Sequence, residues 1–183
     1  DARRLRRLGP VVEPYIEEVV VAFYDALMAH PRARGVFEGP EQILRLRRAL
    51  QVWLRELFCG AYDQAYLESR RRIGRAHVDV GLLPQFMCGA MNLIRSEFTE
   101  VFLGQEARAL EQILEDGEGG KEAVVSLGRI LDIELTIMLQ SYWDVLMKQK
   151  LEIPAALATG LAHEVRNPLN AISLQMTLLE RKL

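Results

Sequence analysis

The imidazoles and thiols that could bind a soft metal or act as nucleophiles near neutral pH are few: three histidines, His30, His77 and His163, and two cysteines, Cys59 and Cys88. Near neutral pH an imidazole serves as ligand, base or nucleophile according to its surroundings. His77 stands in RRRIGRAHVDVGLLP, at the end of a helical pattern. Without further context a histidine there reads as a core or C-cap residue, because the helix dipole favours a cation at that end. His163 stands in LAHEVRNPLNAISLQMTLLERKL, where the plain reading is a surface position on an amphipathic helix. Tyr24 falls on the apolar stripe of the first long helical pattern and reads as a core tyrosine whose hydroxyl finds a backbone partner. The cysteines stand among apolar residues, outside any CxxC or Cys/His cluster, which predicts two buried thiols in a reducing, cytoplasmic setting.

The elements that must position these residues are helical. Strand signals are nearly absent, and apolar residues recur at helical spacing. The periodicity predicts helices over Val11–Ala29, ending where His30 precedes Pro31, over Glu41–Phe58, and over Gln64–His77 with Gly81 as its stop. A further helix over Leu83–Leu103 has Pro84 in its first turn. The polar, glycine-rich stretch Glu115–Gly120 reads as a loop. A long helix over Glu122–Lys150 carries Leu131, Leu135, Met138, Tyr142 and Val145 at alternating spacings, either a coiled-coil-like seam or one broad core face. Pro154 interrupts the pattern, and a last helical segment covers Ala155–Leu183. An all-α fold follows, with globin-like packing and an up-down bundle both open.

Composition narrows the function classes. The 183 residues are 50% apolar and 26% charged, with a net charge of −2. That is an ordinary globular balance, with no field to draw nucleic acid or a membrane surface. No apolar run reaches the length that spans a bilayer, and no signal peptide is visible. The sequence starts at Asp1 and stops at Leu183 inside an amphipathic pattern, so the expectation is a piece of a longer protein.

The segment around His77, in the form RxRIGxxHxxxGLxP, resembles the stretch around the haem ligand in globin-coupled sensors, the bacterial sensor branch of the globin superfamily. FYDALMAHP (Phe23–Pro31) is similar to that family's distal-helix segment, and RLRRALQVWLRELFCGAYDQAYLESR (Arg45–Arg70) to its next helix and connection. The resemblance implies a sensor globin fold over residues 1–150 that binds haem b. His77 becomes the proximal iron ligand, which must be a neutral imidazole. Tyr24 takes the distal position, where its hydroxyl favours dioxygen over CO; NO and cyanide are further possible ligands. Phe23, Leu46, Ala49, Leu50, Trp53, Ile73 and Phe86 are pocket candidates, each also readable as plain core. Arg72, with Arg70 and Arg71, is a candidate for the haem propionates or a solvated basic face, and Gly74 for a close approach of the porphyrin edge. The sequence departs from the pattern at Ala49, where some relatives carry a hydroxyl, and at Met87, where many carry an aromatic.

HEVRNPLN resembles the H-box of sensor histidine kinases, which implies a phosphoacceptor at His163, with Glu164 taking its proton and Asn167 orienting the transferring group. Residues 151–183 then form a linker and the truncated first part of a dimerisation and phosphoacceptor helix. The expected partners are a second copy through the C-terminal helices and a response regulator. ATP would serve only a kinase domain outside this chain, since no nucleotide-binding glycine pattern is present; the chain alone is not expected to phosphorylate itself. The function expected is a haem-based gas sensor controlling a histidine kinase. The alternatives are a haem-free globin-like sensory module, against which His77 argues, and a transport globin or haem enzyme, against which the H-box argues.

Overall fold

A computed structural model describes residues 1–104 and 119–148. His163, Glu164 and Asn167, the segment Ala155–Leu183 and most of the Glu115–Gly120 loop lie outside the described residues. Asp1–Tyr142 form one compact unit; of the second, Trp143–Leu183, residues 143–148 are described, and these are helical and exposed. The described residues are all-α, without a strand.

The chain begins with α1 (Ala2–Val12), which turns Leu5, Leu8, Val11 and Val12 inward. A 3-10 turn, Glu13–Tyr15, separates it from α2 (Ile16–Ala29). The helix expected from Val11 is therefore two. Pro14 supplies no N–H to the i→i−4 ladder, and the chain tightens there. α2 buries Ile16, Val19, Val20 and Tyr24 and packs against α4 and α6. It stops at His30, whose extended backbone (φ −95°, ψ 112°) is what the following Pro31 requires. Short α3 (Pro31–Arg34) leads to α4 (Pro40–Leu57), which buries Trp53, Leu54 and Leu57. α5 (Gln64–Asp79) starts at Asp63, whose side chain accepts a hydrogen bond from the Tyr66 amide at 2.9 Å. Gly81, at φ +67°, turns the chain out of α5. Pro84 then opens α6 (Pro84–Leu103), with Met87, Met91, Ile94, Phe98 and Phe102 inward.

The last described helix, α7, covers residues 120–148. Leu131 and Met138 are buried, and Leu135 and Tyr142 are partly buried against the same core. Of the two readings of that seam, the core face holds for these four residues, which pack inside the chain; the same helix exposes Ile133, Trp143 and Leu146. Val145 is exposed. The cysteines are a second correction. Cys59 and Cys88 are both exposed. Cys59 follows the end of α4, with its thiol facing the Ala61 carbonyl at 3.2 Å, and Cys88 takes the outer face of α6, one residue past buried Met87.

Candidate functional site

α5 presents His77 in its last turn. The ring Nδ1 lies 2.9 Å from the Ile73 carbonyl oxygen. A carbonyl only accepts, so Nδ1 carries the proton and Nε2 keeps its lone pair. Burial holds the His77 pKa below the usual histidine value, partly opposed by the Ile73 carbonyl. The neutral form therefore dominates, with one nitrogen available as a ligand. Among the described residues no group of three or more His, Cys, Asp or Glu is placed to hold a bare metal ion. One neutral axial nitrogen beside half-buried apolar side chains fits an iron porphyrin, which needs one such ligand and an apolar slot.

On α2, Tyr24 is 4% exposed. The ring of Phe23 meets it edge-on at 5.4 Å, and that of Phe37 lies 6.1 Å away. Arg47, from α4, places its guanidinium carbon 5.3 Å from the Tyr24 ring centre. Burial pushes the Tyr24 pKa up to about 12, against the pull of Arg47. The hydroxyl has no hydrogen-bond partner among the described residues, so the backbone partner expected for a core tyrosine is not found. Beside it a cleft of about 390 Å³ separates the end of α2 from the start of α4, lined by Met28, Phe37, Ile43 and Leu44 together with Arg34 and Arg47.

The other candidates divide. Phe23, Leu46, Leu50 and Ile73 are half-buried against the core. Phe86 is half-buried and meets the His30 ring edge-on at 5.5 Å. Ala49 and Arg72 are exposed. Trp53 is buried, and its indole Nε1 donates to Glu134 Oε2 at 3.0 Å.

That bond belongs to a buried cluster that joins three helices. Arg70 of α5 and Glu134 of α7 are both fully buried and pair at 3.0 Å. Arg70 also pairs with Glu56 of α4, and the Tyr66 hydroxyl donates to Glu134. The Arg70 guanidinium stacks 4.1 Å above the Tyr66 ring, and its Nη2 is left without a hydrogen-bond partner. Arg70 is therefore occupied internally rather than free for a propionate, and Arg71 pairs with Glu68 at 2.8 Å. Gly74, one turn on from Arg70, also faces α7. A Cβ there would lie 2.5 Å from Ser141 Oγ and 3.0 Å from the Met138 backbone. Its missing side chain admits α7 rather than a porphyrin edge. Near the end of α7, the Tyr142 hydroxyl donates to the Leu82 carbonyl, just past Gly81. Sequence reasoning missed Arg47, Glu56, Tyr66 and Glu134. Glu134 had a signal: an acid three residues from Leu131 and four from Met138 lies on the apolar face and needs a buried partner.

A family model described as Protoglobin matches residues 1–148. The chain is 26% identical over 175 residues to the heme-based aerotactic transducer HemAT of Halobacterium salinarum, an alignment covering 89% of this chain and 34% of that protein. It thus spans about a third of that relative's length. The globin domain of a Geobacter sulfurreducens globin-coupled sensor has the same fold, with a TM-score of 0.67 and 31% identity over 78% of this chain and 88% of that one.

Proposed function

The chain belongs to the protoglobin family, and from that premise we propose that it is the haem-binding, gas-sensing domain of a larger cytoplasmic signalling protein, with His77 as the axial ligand and Tyr24 as hydrogen-bond donor to the gas. The observation that carries this reading is the His77 imidazole: neutral, tethered through Nδ1 to Ile73, and free at Nε2. Haem would be held by His77 and would supply an iron able to bind a diatomic gas. The chain's own residues do the rest. The Ile73 carbonyl fixes the tautomer and orientation of His77. The Tyr24 hydroxyl offers its proton to a gas that gathers negative charge, as dioxygen does. Such a charge-assisted bond is worth about 1.5–3 kcal/mol, a tenfold to hundredfold gain in affinity, whereas CO gains little. Tyr24→Phe should therefore speed dioxygen release and leave CO release nearly unchanged; equal effects on both gases would remove Tyr24 from this role.

The route out of the site is α5. It carries His77 and is tied to α7 by the Arg70–Glu134 pair and the Gly74 contact, and the turn beyond it by Tyr142 and Leu82. A displacement of His77 on gas binding would be passed along α5 and, through these ties, to α7. Signalling then requires the gas to distinguish two arrangements of these helices energetically. HEVRNPLN supports a histidine kinase as the output, with His163 accepting phosphate, Glu164 and Asn167 assisting, the C-terminal helices pairing two copies, and a response regulator receiving the phosphoryl group. That output rests on the motif alone. Phosphotransfer onto His163 by a kinase domain restored in the full-length protein tests it separately from the sensor.

Titration of the purified chain with hemin tests the sensor reading. The expected result is a sharp Soret band that saturates at one equivalent and is lost in His77→Ala at unchanged helicity. A wild-type protein that stays colourless would establish the haem-free alternative instead.

A further inference from the structure

Arg47 is the one part of the Tyr24 environment that the reading above leaves without a task. The guanidinium carbon lies 5.3 Å from the centre of the Tyr24 ring, within the distance at which a cation is held by the negative face of an aromatic. Arg47 Nε is buried and has no hydrogen-bond partner in the described structure. Leaving a guanidinium nitrogen desolvated and unpaired costs stability. A methionine or leucine at this point of α4 would cover the same apolar wall of Ile43 and Leu44 at no such cost, so the charge invites a role that packing does not supply. The ring beneath it also meets Phe23 and Phe37.

We infer that Arg47 is a specificity-determining residue that acts on the bound gas through Tyr24: its charge over the ring draws electron density from the phenol oxygen and makes the hydroxyl a stronger hydrogen-bond donor. The inference rests on the assignment of Tyr24 as donor to the gas. Its physics is that of any positive charge near an acid. The charge stabilises the deprotonated form, and a group that gives up its proton more readily donates a stronger hydrogen bond to a partly negative acceptor. The two effects on Tyr24 oppose each other: burial holds the proton on, and Arg47 loosens it. Because dioxygen gathers negative charge and CO does not, the effect of Arg47 falls mainly on dioxygen. A gas sensor in which α2 supplies the hydroxyl and α4 the charge therefore has an affinity that depends on how these two helices sit together.

Stopped-flow release of dioxygen and CO from the haem-loaded chain tests this in four proteins and one background. Arg47→Met should raise the dioxygen dissociation rate about threefold to tenfold, on the scale of a cation–ring contact, while CO release changes by less than about twofold because CO accepts hydrogen bonds poorly. Arg47→Lys, which keeps the charge, should restore most of the wild-type rate. In a Tyr24→Phe background, Arg47→Met should have no further effect on either gas. A second readout needs no haem: with the tyrosine Cζ labelled by carbon-13 and the Tyr24 signal identified by its loss in Tyr24→Phe, the Tyr24 Cζ resonance at neutral pH should move in Arg47→Met and stay near its wild-type position in Arg47→Lys. An unchanged dioxygen rate in Arg47→Met, equal changes for both gases, or an effect that persists in Tyr24→Phe overturns the inference. If Tyr24→Phe itself leaves dioxygen release untouched, the assignment of Tyr24 falls first and takes this inference with it, whereas a normal Tyr24→Phe effect with a silent Arg47→Met removes the inference alone.

Discussion

Two arginines in this protein lie over tyrosine rings, and they do so on different terms. Arg70 is fully buried, pairs through Nε with buried Glu134 and through Nη1 with Glu56, and covers Tyr66. Arg47 is half-buried, covers Tyr24, and leaves a buried Nε unpaired. In the first case the tyrosine hydroxyl is consumed, donating to Glu134; in the second it is free among the described residues. Burial and paired charge push the Tyr66 hydroxyl far above its ordinary pKa, and at Tyr24 the arginine works against burial. The same pair of residue types thus builds a fastening where its hydrogen bonds close on themselves, and leaves a hydroxyl unspent where they do not. The fastening lies between α5 and α7; the unspent hydroxyl is on α2.

Breaking the fastening should have the largest effect. Glu134→Leu strands Arg70, Tyr66 and Trp53 and should lower stability by about 3–5 kcal/mol, the cost of removing one partner of a buried pair, read as a fall in midpoint in urea. Arg47→Met should cause no loss of stability, since methionine covers the same wall without a buried unpaired nitrogen; comparable losses at both sites would erase the distinction. Next is Gly74→Ala, whose methyl meets Ser141 and the Met138 backbone. It should cost about 1–3 kcal/mol as overpacking and weaken hemin binding through displacement of α5, with Ser141→Ala restoring part of the loss. Smallest is Tyr142→Phe, which gives up one hydrogen bond to the Leu82 carbonyl and should cost about 0.5–1.5 kcal/mol. If the ties to α7 carry the signal, Tyr142→Phe should also blunt gas-dependent changes in hydrogen exchange along α7 while leaving gas affinity intact.

Much of this was legible in the sequence where a local rule decides the outcome. Pro31 ended α2, Gly81 and Pro84 bounded the turn after His77, and the helical periods placed α4 to α6 within a residue or two. The position of His77 at the end of α5 was legible too; its contact with the Ile73 carbonyl, one turn back, follows from the helix itself. What was not legible depends on how helices cross. Gly74 was read as room for a ligand, yet it meets α7, because the packing of α5 against α7 is not written in either segment alone. Arg70 looked like one of three exposed cations and became the centre of the core, because its partners come from 14 and 64 residues away. Cys59 and Cys88 looked buried from their apolar neighbours, but one follows a helix end and the other takes an outer face. The meeting of Arg47 with Tyr24 follows from the crossing of α2 and α4, which no pattern within either helix records.

Gas sensing at this site requires a bond between His77 Nε2 and the haem iron. Resonance Raman spectroscopy of the reduced, gas-free protein reports that bond as an iron–histidine stretch. The expected band shifts when histidine is labelled with nitrogen-15, disappears in His77→Gly, and returns when free imidazole is added to that variant. A band of unchanged frequency in His77→Gly without imidazole would contradict the His77–iron bond.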